Sequence, residues 1–216
     1  MEEHAVRIDD QPISATFFGE NRWLTHFITP NALEVQSLHR DLVNGIGDSR
    51  GRIVALWKWV ATLKYVDQVK GTTRIAGRTS LQRDLWLDPT TTIHVGRGNC
   101  ATKSFLLCSL LRNELPVDAV YCVMGNLYCP TGAPKNADCA GGHAWINVML
   151  EREYIMEATM PVTPLVPKGS AERYEAVHYF NDEIVFAVEG RTQMVPYAAA
   201  YSNWLSKYLS QSIINA

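Results

Sequence analysis

Residues 96–112 read GRGNCATKSFLLCSLLR, and this stretch decides the fold. From Ala101 to Arg112 the segment is apolar nearly all round at its centre, so the helix it forms must be buried on most sides. Pro116 marks its end. A short glycine-bearing run delivers the chain to Cys100 at the helix start. A thiol there feels the positive end of the helix dipole and the unpaired amides of the first turn, which favour the nucleophilic thiolate. Gly98 lets the backbone approach a substrate closely, Asn99 stands beside it, and the backbone N–H of Cys100 is one donor available to an oxyanion. Trp86 and His94, both upstream, are candidates for a second donor. Taken alone, a cysteine at a helix start is more often a packed residue than a nucleophile, so a basic partner is required.

The stretch 141–160, GGHAWINVMLEREYIMEATM, supplies one. Its period is two, which puts His143, Trp145, Asn147 and Met149 on one face of a strand and Ala144, Ile146, Val148 and Leu150 on the other. If Met149 pairs with Glu153 across the three-residue turn Leu150, Glu151, Arg152, then Glu157 comes opposite Trp145 and diagonal to His143. That diagonal spans about 7 Å, which long side chains close. The opposite face then collects Ala144, Ile146, Val148, Tyr154, Met156 and Ala158. A two-residue turn would flip Glu157 into that apolar layer as an unpaired buried charge. The pattern therefore selects the first register, with Trp145 as a wall beside His143.

Around these two stretches the chain reads as helices first and strands after. A helix from Asn31 carries Leu33, Leu38, Leu42 and Val43 and ends at Gly45 and Gly47. Asp48 or Ser49 caps a second, with Ile53, Leu56, Trp57 and Val60 as its apolar stripe. Residues 67–98 read mostly as loop, with a short helix over Ser80 to Leu87. Strands are expected over Ala119 to Met124, His143 to Leu150, Glu153 to Met160, Tyr174 to Phe180 and Ile184 to Val188, with a last helix over Tyr197 to Ile214. Helices, then strands, then a closing helix is an α+β order built on an antiparallel sheet.

At 216 residues and 47% hydrophobic composition, the chain has material for one core. Its net charge of −2 and pI near 6.3 provide no basic surplus for a nucleic acid backbone. MEEHAVRIDDQP, residues 1–12, lacks the pattern of a secretory signal, and no apolar run approaches the roughly 18 residues of a membrane span. The expectation is a cytoplasmic protein with no membrane partner. Its five cysteines would then stay thiols, with Cys108 and Cys122 as core residues. The segment 125–142, GNLYCPTGAPKNADCAGG, reads as a loop walling a cleft. A disulfide between Cys129 and Cys139 would require an oxidising environment. A metal site using Cys122, Cys129, Cys139 and His143 has intervening spacings of six, nine and three, which match no standard zinc pattern.

These segments together resemble the transglutaminase-like superfamily. The resemblance rests on GNCATKS around Cys100, HAWINV from His143, MEAT with Glu157 and Thr159, and the preceding helix GRIVALWKWVATLKYV, and spans roughly residues 48–160. It implies a papain-like α+β fold, no metal or organic cofactor, and a triad of Cys100, His143 and Glu157 in which the acid is usually Asp. It also implies a nucleophilic mechanism through an acyl-enzyme, on a peptide, protein or other amide-bearing substrate. One catalytic domain over 1–216 is expected, with 1–47 an N-terminal extension, 48–160 the motif-bearing core and 161–216 the closing strands and helix. Three functions fit: an amide hydrolase such as a protease or amidase, a transglutaminase-type acyl transferase to an amine, and a non-catalytic binding module that retains the fold. Intact Cys100 and His143 argue against the last.

Overall fold

A computed structural model describes residues 5–7, 12–13, 22–66, 71–75, 78–82, 86–129, 139–159 and 164–191. The helix expected over 197–214, with Tyr201, Trp204, Leu205, Tyr208 and Leu209 inward, lies outside the described residues, as do parts of the N-terminal extension.

The chain opens with three short strands, β1 (Ala5–Arg7), β2 (Pro12–Ile13) and β3 (Arg22–Trp23), followed by helices α1 (Leu33–Val43) and α2 (Ser49–Thr62). Asp48 begins α2, its carboxylate accepting from the Gly51 N–H at 2.6 Å. Strands β4 (Lys64–Tyr65), β5 (Gly71–Ile75) and β6 (Arg78–Gln82) come next, then helix α3 (Pro89–Val95), strand β7 (Arg97–Gly98) and helix α4 (Cys100–Leu111). The remaining strands are β8 (Val120–Tyr128), β9 (Ala140–Met149), β10 (Glu153–Met156), β11 (Val166–Pro167), β12 (Tyr174–Phe180) and β13 (Val185–Val188). Seven of them form one antiparallel sheet in the order β1-β13-β12-β8-β9-β10-β11. This is an α+β fold, as the order of elements required.

All twelve residues of α4 are buried. The helix packs on one face of the sheet, where Phe105, Leu106 and Leu110 join Ile53, Leu56 and Val60 of α2 and Met124, Ala144, Ile146, Val148, Tyr154 and Met156 of the strands in one core. The other face carries a smaller cluster of Val123, Trp145, Ile155, Ala176, Tyr179 and Val188. Residues 144–148 therefore alternate between the two cores, which fixes the strand register from both sides. The β9–β10 pairing sets Met149 opposite Glu153, and Leu150 donates its N–H to the Arg152 carbonyl to close the three-residue turn.

Three local expectations are corrected. Ser80 lies in β6, opposite Thr73, so residues 80–82 are strand rather than the start of a helix. Thr72, Thr73, Ile75 and Thr79 are β-branched and suit an extended hairpin. The helix in this region is α3, begun by Asp88 accepting from the Thr91 N–H at 2.8 Å with Pro89 in the first turn, and ended by Gly96 at φ 64°. The two ends of the segment 125–142 are ladder, since β8 continues to Tyr128 and β9 begins at Ala140, while residues 130–138 lie outside the described residues. Gly125 belongs within that ladder because a Cβ there would lie 2.7 Å from Trp145 Cη2 and collide with the β12 backbone at Glu175 and Ala176. Finally, the strand expected to reach Met160 leaves the ladder after Met156. No helix among the described residues is long and apolar enough to cross a membrane.

Candidate active site

Cys100 is the first residue of α4, and the preceding Asn99 caps the helix by accepting the Thr102 N–H at 2.9 Å. Tight packing at Gly98, where a Cβ would meet the Thr102 side chain, holds the entering strand β7 against that first turn. Gly98 is thus explained by packing rather than by substrate approach, and the side-chain oxygen of Asn99 is committed to the cap. On the far side of the sheet edge, β10 has ended and Glu157 turns back toward His143 of β9. Its Oε2 accepts the His143 Nε2–H at 2.8 Å.

Glu157 is held on every polar atom that the arrangement uses. Oε2 also accepts the Tyr174 hydroxyl at 3.0 Å, while Oε1 accepts the Thr159 backbone N–H at 2.9 Å and the Thr159 hydroxyl at 2.6 Å. The Glu157 main-chain carbonyl takes the Trp57 indole N–H from α2 at 2.7 Å. These bonds to Thr159 and Trp57 explain why the chain leaves the ladder after Met156: the backbone there serves the carboxylate instead of a neighbouring strand.

Cys100, His143 and Glu157 are 5%, 2% and 2% exposed, so electrostatics act with little water between them. Burial alone would lower the His143 imidazole, but the Glu157 charge and then its interaction with the Cys100 thiol push it up to about 10. Burial opposes ionisation of Glu157, yet His143 and then Thr159 hold its carboxyl below the usual range. With Nε2 committed to Glu157, Nδ1 is the nitrogen left for the sulfur, and it has no directed hydrogen bond among the described residues. The imidazole therefore carries its proton at neutral pH, anchored on one side and available on the other.

The other candidates separate clearly. Trp86 is buried, packed edge-on against Phe27 and Phe105 at 5.5 and 5.4 Å, and its indole N–H has no partner among the described residues. His94 is exposed on the last turn of α3 and makes no hydrogen bond or ring contact with the three central residues, so it is set aside as a donor. Trp145 stacks at 6.3 Å from His143 and gives its N–H to Asn147 Oδ1 at 3.1 Å, so that N–H is already engaged. Asn147 is turned to Trp145 and Glu153, away from His143. A cavity of about 890 Å³ on this face is lined by Trp145, Asn147, Lys168, Tyr174 and Tyr179 among others; Cys100 and His143 are not in its walls.

Sequence reasoning did not single out Tyr174, Trp57 or Lys103. Tyr174 and Trp57 lie 17 and 100 residues from Glu157 and carry no local signal. The expectation of five free thiols is also corrected: Cys129 and Cys139 form a disulfide, with Cα atoms 5.5 Å apart, that closes the β8–β9 hairpin beside His143. Cys108 and Cys122 are buried core thiols as expected.

No protein-family model matches the sequence, and no curated protein matches it. Among solved structures, Legionella pneumophila LapG is similar with a TM-score of 0.50 at 12% identity, over 83% of this chain and 88% of that one. A Cytophaga hutchinsonii chain provisionally named a cysteine protease gives 0.43 at 16% identity, over 80% of this chain and 55% of that one. The likeness to LapG, at 12% identity, is one of fold. Together with a buried helix opening on Cys100 against an antiparallel sheet, it gives this chain a papain- or transglutaminase-like α+β fold.

Proposed function

We propose that this chain is a cysteine-nucleophile hydrolase of amide bonds in a peptide or protein, working through Cys100, His143 and Glu157. The observation that carries this reading is the buried 2.8 Å pair of His143 and Glu157, with Nδ1 of the same ring left without a partner among the described residues and the Cys100 thiol among the groups that raise the ring. Cys100 Sγ attacks the amide carbonyl carbon and forms a thioester, while the His143 imidazolium gives its proton to the departing amine. Glu157 fixes the ring orientation and stabilises its charged form. His143, then neutral, takes a proton from water as that water attacks the thioester carbonyl, which releases the acid and restores the Cys100 thiolate and the His143 imidazolium. The Cys100 backbone N–H at the helix start and the unpartnered Trp86 indole N–H are the two donors assigned to the oxyanion.

The Cys129–Cys139 disulfide favours an oxidising compartment over the cytoplasm that the sequence suggested. Incubation with a peptide library, with and without a primary amine, read by mass spectrometry, tests the whole reading. Cleavage or deamidation lost in Cys100→Ala supports hydrolysis, and amine incorporation would replace it by acyl transfer. If wild type and Cys100→Ala both leave every peptide unchanged, and a thiol-reactive acyl analogue adds no mass at Cys100, the domain is a binding module.

A further inference from the structure

Lys103 lies one helical turn after Cys100 and is fully buried. Its Nζ donates to the carbonyls of Ala61 and Leu63, at 3.1 and 3.0 Å, in the last turn of α2 and at the residue that ends it. A cation at a helix C-terminus is well placed against the helix dipole. Burying an ammonium to satisfy two carbonyls is nevertheless an expensive solution, because water or a neutral donor would do the same. An apolar helix such as α4 has a cheaper residue available at every other inward position.

The site itself supplies a reason. In the reactive form it holds a thiolate and a carboxylate against a single imidazolium, all three nearly excluded from water. One negative charge is left over, and in such surroundings it would be relieved by uptake of a proton from solvent at the sulfur, since passing the imidazolium proton across leaves the same net charge. We propose that Lys103 is the counter-charge of the catalytic group, balancing the buried Glu157 carboxylate so that the thiolate and imidazolium of Cys100 and His143 persist together. This rests on the reading of Cys100 as nucleophile. Lys103 acts through the other three and touches no substrate, so it is a positioning residue.

Two further observations agree. Burial pushes the Lys103 ammonium down to about 8, while the Glu157 charge acts in the opposite direction. The helix that accepts the Lys103 ammonium also carries Trp57, whose indole holds the Glu157 carbonyl, so α2 fixes both charges relative to each other. The Glu157 charge acts on Lys103, Cys100 lies three residues before it on the same helix, and the adjacent β4–β7 pair carries Lys64, Tyr65 and Arg97. Gly98 of that pair packs near the lysine stem.

The test is the rate of Cys100 alkylation by iodoacetamide between about pH 5 and pH 9 in wild type, Lys103→Met and Lys103→Gln, with His143→Ala as reference. Both Lys103 variants are expected to move the acid limb up by about one pH unit, so that alkylation near its lower end slows about tenfold. A folded Lys103→Met with an unmoved limb overturns the proposal. So does a Lys103→Gln that restores the wild-type profile, since the carbonyl contacts would then be the whole role. Should neither variant fold, NMR titration of lysine labelled at Cε serves instead: Cys100→Ser should lower the Lys103 midpoint relative to wild type, and an equal midpoint overturns the proposal. A wild-type Cys100 no more reactive than Cys108 would defeat the nucleophile reading itself. A reactive, His143-dependent Cys100 with an unmoved limb defeats only the role of Lys103.

Discussion

Replacing Glu157 by Gln keeps the size of the side chain and removes its charge, and the surrounding contacts let the outcome be worked through. Four donors converge on the carboxylate, two on each oxygen. A glutamine offers one oxygen, so its NH2 must face donors on one side. Turning it toward Thr159 sets it against a backbone N–H that cannot reverse, at about 1–3 kcal/mol for the unsatisfied group, while the Thr159 hydroxyl can rotate to accept. The fold, anchored by the burial of α4, is expected to survive that loss. The chemistry suffers more. A charge about 4 Å from the imidazolium contributes about 4 kcal/mol at an effective dielectric near 20, which corresponds to about a thousandfold in turnover.

A second signature separates lost charge from lost shape. Glu157 is the chief group that holds His143 at about 10 against the effect of burial, so the alkaline limb of kcat/KM should move down in the Gln variant by more than one pH unit. Glu157→Asp keeps the charge. With the main chain fixed by Trp57 and Thr159, however, the shorter side chain cannot serve both ends, and its turnover should fall between wild type and Gln. The assay is kcat/KM against pH on an amide substrate identified from the peptide library. Full turnover in Glu157→Gln, on a substrate that Cys100→Ala cannot process, would refute the reasoning and leave a Cys–His dyad. Asn147 would not rescue the triad in that case, since its amide is engaged by Trp145 and Glu153.

Reducing the Cys129–Cys139 bridge, or changing both residues to Ser, reopens a loop with a sequence separation of 10 and should cost about 3 kcal/mol, read as a lowered Tm; an unchanged Tm with and without reductant would show that the bridge adds no stability. Trp57→Phe leaves the buried Glu157 carbonyl without its donor and should lose about 1–3 kcal/mol in urea unfolding, with a fall in turnover; a variant equal to wild type in both would remove α2 from the site. The pH dependence of stability has opposing parts. Glu157, held below 4.5, stabilises above its unfolded value, and that share is lost as pH falls through its folded value. His143, raised to about 10, stabilises fully below 6.5 and loses that share as pH rises toward 10. Lys103, lowered from 10.5 to about 8, does the reverse: its burial cost is present below about 8 and fades between there and 10.5. The Lys103→Met variant should therefore show a steeper alkaline fall in Tm than wild type, and parallel curves would contradict these assignments.

How far the sequence reached can be judged from the β9–β10 hairpin. The register that places Glu157 by His143 was legible because two independent constraints, an apolar face and a charge that had to avoid it, allowed only one turn length, and the observed pairing of Met149 with Glu153 is that one. Helix α4 was legible because it is apolar nearly all round at its centre. Helix α3 was equally legible in Asp88-Pro89 and Gly96 but was hidden by surrounding polar and glycine residues that read as loop. Strand β8 was cut short because Gly125 looks like a breaker, and only the β12 backbone and the indole of Trp145 lying against it explain a glycine in that ladder. What could not be read is whatever depends on distant partners. Trp57 reaches Glu157 across 100 residues and Lys103 reaches Ala61 across 42, and neither separation has a period or motif. A lysine in an apolar helix was nonetheless a visible anomaly: a chain that spends a buried charge one turn from a thiol has placed an electrostatic requirement there. Such local conflicts between residue type and environment are where a sequence most directly marks its working parts.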